Sequence, residues 1–167
     1  MTKTFESEAL VRFPDCDPFN HLNNARYLDY FMNAREDHLR RGMDFSLYDV
    51  ARERGVGWVV GVNHIAYLRP AMLMDTVVID STLLAWRERE VVVEMRMWNA
   101  AKTELKALLW STFVHVNLRT GQIDPARRGA RPALQAVREP AARPRDDLRP
   151  ARRRPALSGM VVRPDPQ

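Results

Sequence analysis

The sequence predicts an α+β domain made of one long helix and an antiparallel sheet. Three observations predict it. A run at residues 25–42 carries Leu28, Phe31, Met32 and Leu39 at helical spacing, with Arg26, Asp29, Asn33 and Glu36 between them. Four later runs, at 56–68, 75–85, 90–98 and 105–118, are rich in β-branched, aromatic and other apolar residues. A strand, a long helix and then a series of strands place the helix against one face of one sheet.

In chain order, a first strand is expected to reach Asp15, because Leu10, Arg12 and Pro14 alternate with Val11, Phe13 and Asp15. Asp15-Cys16-Asp17-Pro18 stops it, since Pro supplies no ladder donor and Asp favours turns. Asn20, Asn23 and Asn24 are candidate N-caps for the long helix, which Tyr27 and Tyr30 flank. A second, short helical piece at 45–54 ends at Gly55 and Gly57. The strand at 56–68 stops at Arg69-Pro70. In 90–98, Val91, Val93, Met95 and Met97 alternate with Val92, Glu94, Arg96 and Trp98, a period of two.

The chain changes character at Gly121. Residues 121–167 hold eleven arginines and no lysine against five acidic residues, a net of +6. Residues 1–120 hold the other 15 basic and 16 acidic residues, a net of −1, so the formal +5 belongs to the tail. Eight of the eleven prolines lie there too, and no aromatic residue does. That composition predicts a largely disordered segment with at most a short helix at 132–138. The expected organisation is one folded domain at 1–120 and a Pro/Arg-rich basic tail at 121–167. A basic tail suits anionic partners, but without interleaved aromatics or a nucleic-acid motif no specific nucleic-acid partner is expected.

Several function classes are excluded. The single cysteine, Cys16, permits no internal disulfide framework and fits a reducing cytoplasm. The start, MTKTFESEALVRF, lacks the apolar core of a signal peptide, and no stretch predicts a membrane span. No G-x-S-x-G, P-loop or G-x-G-x-x-G occurs, and no His, Cys or carboxylate pair has zinc spacing.

The chemistry is expected between Asp15 and Ala25, where carboxylates, His21 and a helix N-terminus crowd together. A helix start leaves backbone N–H groups unpaired and carries partial positive charge, so it can polarise a carbonyl or hold an oxyanion. Asp17 stands just before it, as a nucleophile or as a general base on water. Alternatively Asp17 caps the turn and His21 is a satisfied loop histidine. His38 on the helix is expected at the surface, His64 and His115 as satisfied strand residues, and Glu36 as solvated or ion-paired.

The run D-C-D-P-F-N-H-L-N-N-A-R-Y-L-D-Y-F resembles the signature of the hot-dog-fold acyl-CoA thioesterases. Asp15-Cys16-Asp17-Pro18 is similar to the 4-hydroxybenzoyl-CoA thioesterase group, and residues 21–28, H-L-N-N-A-R-Y-L, to the long-chain acyl-CoA and acyl-carrier-protein branch. Weaker echoes lie in H-I-A-Y-L-R-P-A at 64–71 and W-R-E-R at 86–89, so the resemblance covers roughly residues 5–120.

What the resemblance implies is specific. The sheet wraps the long helix. Asp17 is the catalytic carboxylate, the Asn24 N–H polarises the thioester carbonyl, and His21 orients Asp17 or a water, or holds the loop. Tyr27 and Phe31 either line the acyl pocket or pack the core, and Asp15 is structural. Arg69, Arg87 and Arg89 are the cations that meet coenzyme A. The expected activity is hydrolysis of an acyl-CoA, fatty acyl rather than aromatic, to free acid and CoA, with neither metal nor cofactor, in a cytoplasmic homodimer or homotetramer. A hot-dog hydratase fits less well, since its D-x-N-P-x-H loop sets Asp and His five apart, against four for Asp17 and His21. The reading from another class is a non-catalytic acyl-CoA-binding hot-dog protein, or a scaffold whose basic tail recruits a partner.

Overall fold

A computed structural model of the chain describes residues 5–43 and 46–123. The chain runs β1 (Phe5–Leu10), α1 (Tyr27–Met43), α2 (Leu47–Arg54), β2 (Val56–Tyr67), β3 (Thr76–Trp86), β4 (Glu90–Asn99) and β5 (Leu105–Asn117). The five strands form one antiparallel sheet in the order β1-β3-β4-β5-β2. Helix α1 lies against β1 and β3. This is the α+β arrangement that the sequence predicts, with strand limits within one residue of expectation from β2 onward. The proposed tail from Asp124 on, including the short helix at 132–138, lies outside the described residues.

The period-two pattern read in β4 corresponds to burial. Val91, Val93, Met95 and Met97 are buried, while Val92, Glu94, Arg96 and Trp98 are half-buried on the other face. With Val77, Ile79 and Leu83 of β3, Ala107 and Leu109 of β5, and Tyr27, Phe31 and Ala34 of α1, they form the core. Burying side chains of this size stabilises by about 1.5–3 kcal/mol each before entropy is counted.

Two local devices set the frame. Gly55, at φ +65°, closes α2 in the left-handed conformation and turns the chain into β2. Gly61 is the extra residue of a bulge, between the pairs Val60–Phe113 and Val62–Thr112. A Cβ there would sit 2.9 Å from Val114 Cγ2, closer than carbon atoms pack.

The first strand ends earlier than its alternation predicts. Pairing of β1 with β3 stops at Leu10–Thr76, and Phe13–Asp15 forms a 3₁₀ turn closed by Asp15 N–H to Arg12 O at 3.0 Å. Pro14 cannot donate to a ladder, and Phe13 consequently points into solvent. A second correction concerns His38. It is buried, not exposed, because Tyr27, Phe31, Ala34 and His38 fall on one helical stripe that faces the sheet. Among the described residues, no helix is long and apolar enough to cross a membrane.

Candidate active site

The loop from Cys16 to Asn24 is stitched to the segment that enters β3. Leu22 N–H donates to Ala71 O at 2.8 Å and Leu73 N–H to Asn20 O at 2.8 Å, with a bridge between His21 and Met72. Asn20 takes φ +62°, a turn conformation that asparagine tolerates. Asp15 is structural, as expected: its carbonyl accepts from Asn23 N–H at 2.9 Å, and the Tyr30 hydroxyl lies 3.0 Å from its Oδ2 and 3.1 Å from Leu10 O. Burial, with the bond to Asp15 second, pushes the Tyr30 phenol up, so it stays a donor.

Within this frame Asp17 and His21 meet. Asp17 Oδ2 lies 2.9 Å from His21 Nδ1. Its other oxygen accepts from Phe19 N–H at 2.9 Å and from His21 N–H at 3.4 Å. Phe19 stacks on the imidazole, with ring centroids 5.8 Å apart. A carboxylate only accepts, so Nδ1 of a neutral His21 carries the proton and Nε2 keeps a free electron pair. Two roles therefore coincide in Asp17: it ties the turn and holds the His21 imidazole in a fixed tautomer. Cys16, beside it, is a poor nucleophile, because burial, then Asp15 and Asp17, push its thiol up.

The helix start supplies the complementary charge. Asn23 organises the turn: its Oδ1 accepts from Ala25 N–H at 3.0 Å and its carbonyl from Arg26 N–H at 2.8 Å. Between these bonded neighbours, the Asn24 N–H makes no hydrogen bond among the described residues. The carbonyl of Asn24, in the next peptide unit, accepts from the Tyr67 hydroxyl at 2.9 Å. Tyr67 also meets the Tyr27 ring edge-on, with centroids 5.1 Å apart, and the Tyr27 hydroxyl accepts from Ala71 N–H at 3.2 Å. Sequence reasoning missed Tyr67, which lies 43 residues from Asn24. Only the pairing of β2 brings them together.

The remaining candidates separate. Tyr27 and Phe31 are buried in the core cluster. Arg69 is exposed and lies two residues past the end of β2 and two before Ala71, which bonds Leu22. Arg87 and Arg89 occupy the turn at the far end of β3, about 33 Å along the strand from the loop in the same chain. Arg87 pairs there with Glu90. Glu36 accepts from the Tyr48 hydroxyl at 3.3 Å.

The family model of the thioesterase-like superfamily matches residues 11–144. The chain belongs to that superfamily. The long-chain acyl-CoA thioesterase FadM of Escherichia coli K12 is 29% identical over 115 residues, which cover 69% of this chain and 85% of FadM. Among solved structures, the probable thioesterase YbaW of Escherichia coli matches with TM-score 0.70 at 26% identity, covering 80% of this chain and 98% of YbaW. Slr0204, a 1,4-dihydroxy-2-naphthoyl-CoA thioesterase from Synechocystis, matches with TM-score 0.73 at 17% identity, over 83% of this chain and all (100%) of that one. The fold is the hot-dog fold, and the protein is a thioester hydrolase.

Proposed function

We propose that the protein hydrolyses fatty acyl-CoA thioesters, with Asp17, His21 and the Asn24 N–H as its catalytic groups. The observation that carries this reading is the Asp17–His21 pair at 2.9 Å, three residues before a backbone N–H that makes no hydrogen bond among the described residues. His21 Nε2 takes a proton from water as the water oxygen attacks the thioester carbonyl carbon. Asp17 holds the ring and stabilises the imidazolium. The carbonyl oxygen becomes an oxyanion on the Asn24 N–H, reinforced by the helix start. Collapse breaks the C–S bond, and the imidazolium returns the proton to the coenzyme A thiolate.

FadM's long-chain substrates support the fatty acyl choice over an aromatic one. A homodimer is supported by β2, an edge strand of twelve residues on which Val59, Val60 and Val62 are exposed. Pairing with a second copy would cover them.

Thiol release from short, long and aromatic acyl-CoAs tests the reading. Asp17→Asn should lower turnover of the preferred substrate at least about a hundredfold, or about 2.7 kcal/mol of transition-state stabilisation. Single turnover in ¹⁸O-water separates the mechanisms. Label in the released acid supports water attack, whereas label in Asp17 makes the carboxylate the nucleophile and removes His21 as the base. Binding of acyl-CoA without thiol release by wild type would leave a binding protein.

A further inference from the structure

Halfway along α1 the buried stripe stops being apolar. Arg35 is only 9% exposed and His38 only 3%, one helical turn apart on the face that meets the sheet. Ser81 Oγ lies 2.7 Å from His38 Nδ1, and Phe5 stacks against the ring at 6.3 Å. These contacts fix the imidazole and leave Nε2, which is buried and has no hydrogen-bond partner among the described residues. Among the described residues, Arg35 makes no hydrogen bond or ion pair. The nearest carboxylate on β3, Asp80, is committed to Arg96 and Trp98.

Arg35 is largely buried, and only its remaining contact with solvent serves the guanidinium, a costly arrangement for a charged group. Burial alone pushes Arg35 down to about 10, still charged at neutral pH. Burial, with Arg35 next, pushes His38 down to about 4, so it is neutral there. When Ser81 donates to Nδ1, Nε2 carries the ring proton, and both residues offer donors. One positive charge and a neutral donor suit a monoanion; a dianion would leave an uncompensated negative charge. Guanidinium geometry favours a planar, two-oxygen acceptor.

We propose that Arg35 and His38 form a binding site for a carboxylate, separate from the Asp17 loop. Arg35 lies about 12 Å along the helix from Tyr27, beside the loop. The carboxylate is therefore either the far end of an acyl group or a free acid. Only the first source rests on the thioesterase reading.

Thermal unfolding of the full chain at pH 7.5 tests the site without any turnover. The probes are acetate, octanoate and suberate, against chloride and phosphate at matched ionic strength. Wild type should gain about 4 °C once a carboxylate exceeds its Kd tenfold, and chloride or phosphate should add nothing. Arg35→Met should lose that response while being at least as stable as wild type without carboxylate. Should Arg35→Met not fold, Arg35→Gln is measured in its place. An unchanged carboxylate response in the variant overturns the proposal. So does a less stable variant in carboxylate-free buffer, which would mean that Arg35 already has its partner. A wild-type midpoint that rises with protein concentration but with no carboxylate also overturns it, by assigning the acceptor to a second copy. Hydrolysis of suberoyl-CoA against octanoyl-CoA then identifies the source. An Arg35-dependent preference for suberoyl puts the carboxylate on the acyl group, and equal rates with retained carboxylate binding make it a free acid.

Discussion

Asp80 and Ser81 are neighbours on β3, so they point to opposite faces of the sheet. The polar groups built around them are finished to different degrees. On one face, Asp80 is 2% exposed and takes Arg96 Nε–H and Trp98 Nε1–H, both at 2.8 Å. Charge is balanced and each oxygen is used. On the other face, Ser81 meets a histidine whose second nitrogen has no partner among the described residues, next to an arginine with no acceptor among them. A closed polar group stabilises the fold by itself. An open one is stable only at a cost that a ligand can offset.

The comparison breaks most directly at Asp80. Asp80→Ala strands Arg96 and the Trp98 indole and should lower the unfolding free energy by about 3 kcal/mol, read as a reduced urea midpoint with unchanged slope. A loss below about 1 kcal/mol would mean that this group is no more closed than the other.

The open side is sharpened by pH. His38 titrates near 4 in the folded protein against 6.5 when exposed, so the unfolded chain binds more protons between those values. Its contribution is therefore fully present above pH 6.5 and is lost as pH falls toward 4. Around the ring, Arg35 and Arg41 oppose protonation while Asp37 and Asp80 favour it. The stability lost between pH 7.5 and 4.5 should be about 2 kcal/mol smaller in His38→Gln than in wild type. Equal losses would show that the ring gains its proton without strain.

The smallest effect tests whether the candidate active-site loop is itself a closed group. Tyr67→Phe removes one hydrogen bond to the Asn24 carbonyl, worth about 1 kcal/mol. kcat should fall about fivefold with KM unchanged, since the hydroxyl holds Asn24 through the carbonyl of the next peptide unit and serves only to position the residue. A change in KM alone would move Tyr67 into the acyl-binding wall.

Much of this was legible in the sequence, for identifiable reasons. Strand β4 has regular alternation, β2, β3 and β5 are rich in β-branched, aromatic and other apolar residues, and the breaks between β3, β4 and β5 are short. Asp17, His21 and Asn24 lie within eight residues, so local geometry had to bring them together. Tyr67 was not legible, because no local pattern tells which β2 residue arrives above a helix start. The misreading of His38 came from its charged neighbours Asp37, Arg40 and Arg41. Its spacing from Tyr27, Phe31 and Ala34 was the signal that outweighs them.

The bulge at Gly61 has a consequence for how the gene can change length. Before it, Trp58 is the β2 side chain that meets Trp86 and His115; after it, Asn63, Ile65 and Tyr67 pair with Ser111, Leu109 and Ala107. Even positions become odd ones at that glycine. Losing the codon for Gly61 would straighten the strand and keep Tyr67 opposite Ala107. Losing any codon from Val62 to Ala66 would reverse the parity and swing Tyr67 away from Asn24. In this strand, Gly61 is thus the position whose loss leaves the Tyr67–Asn24 contact in register.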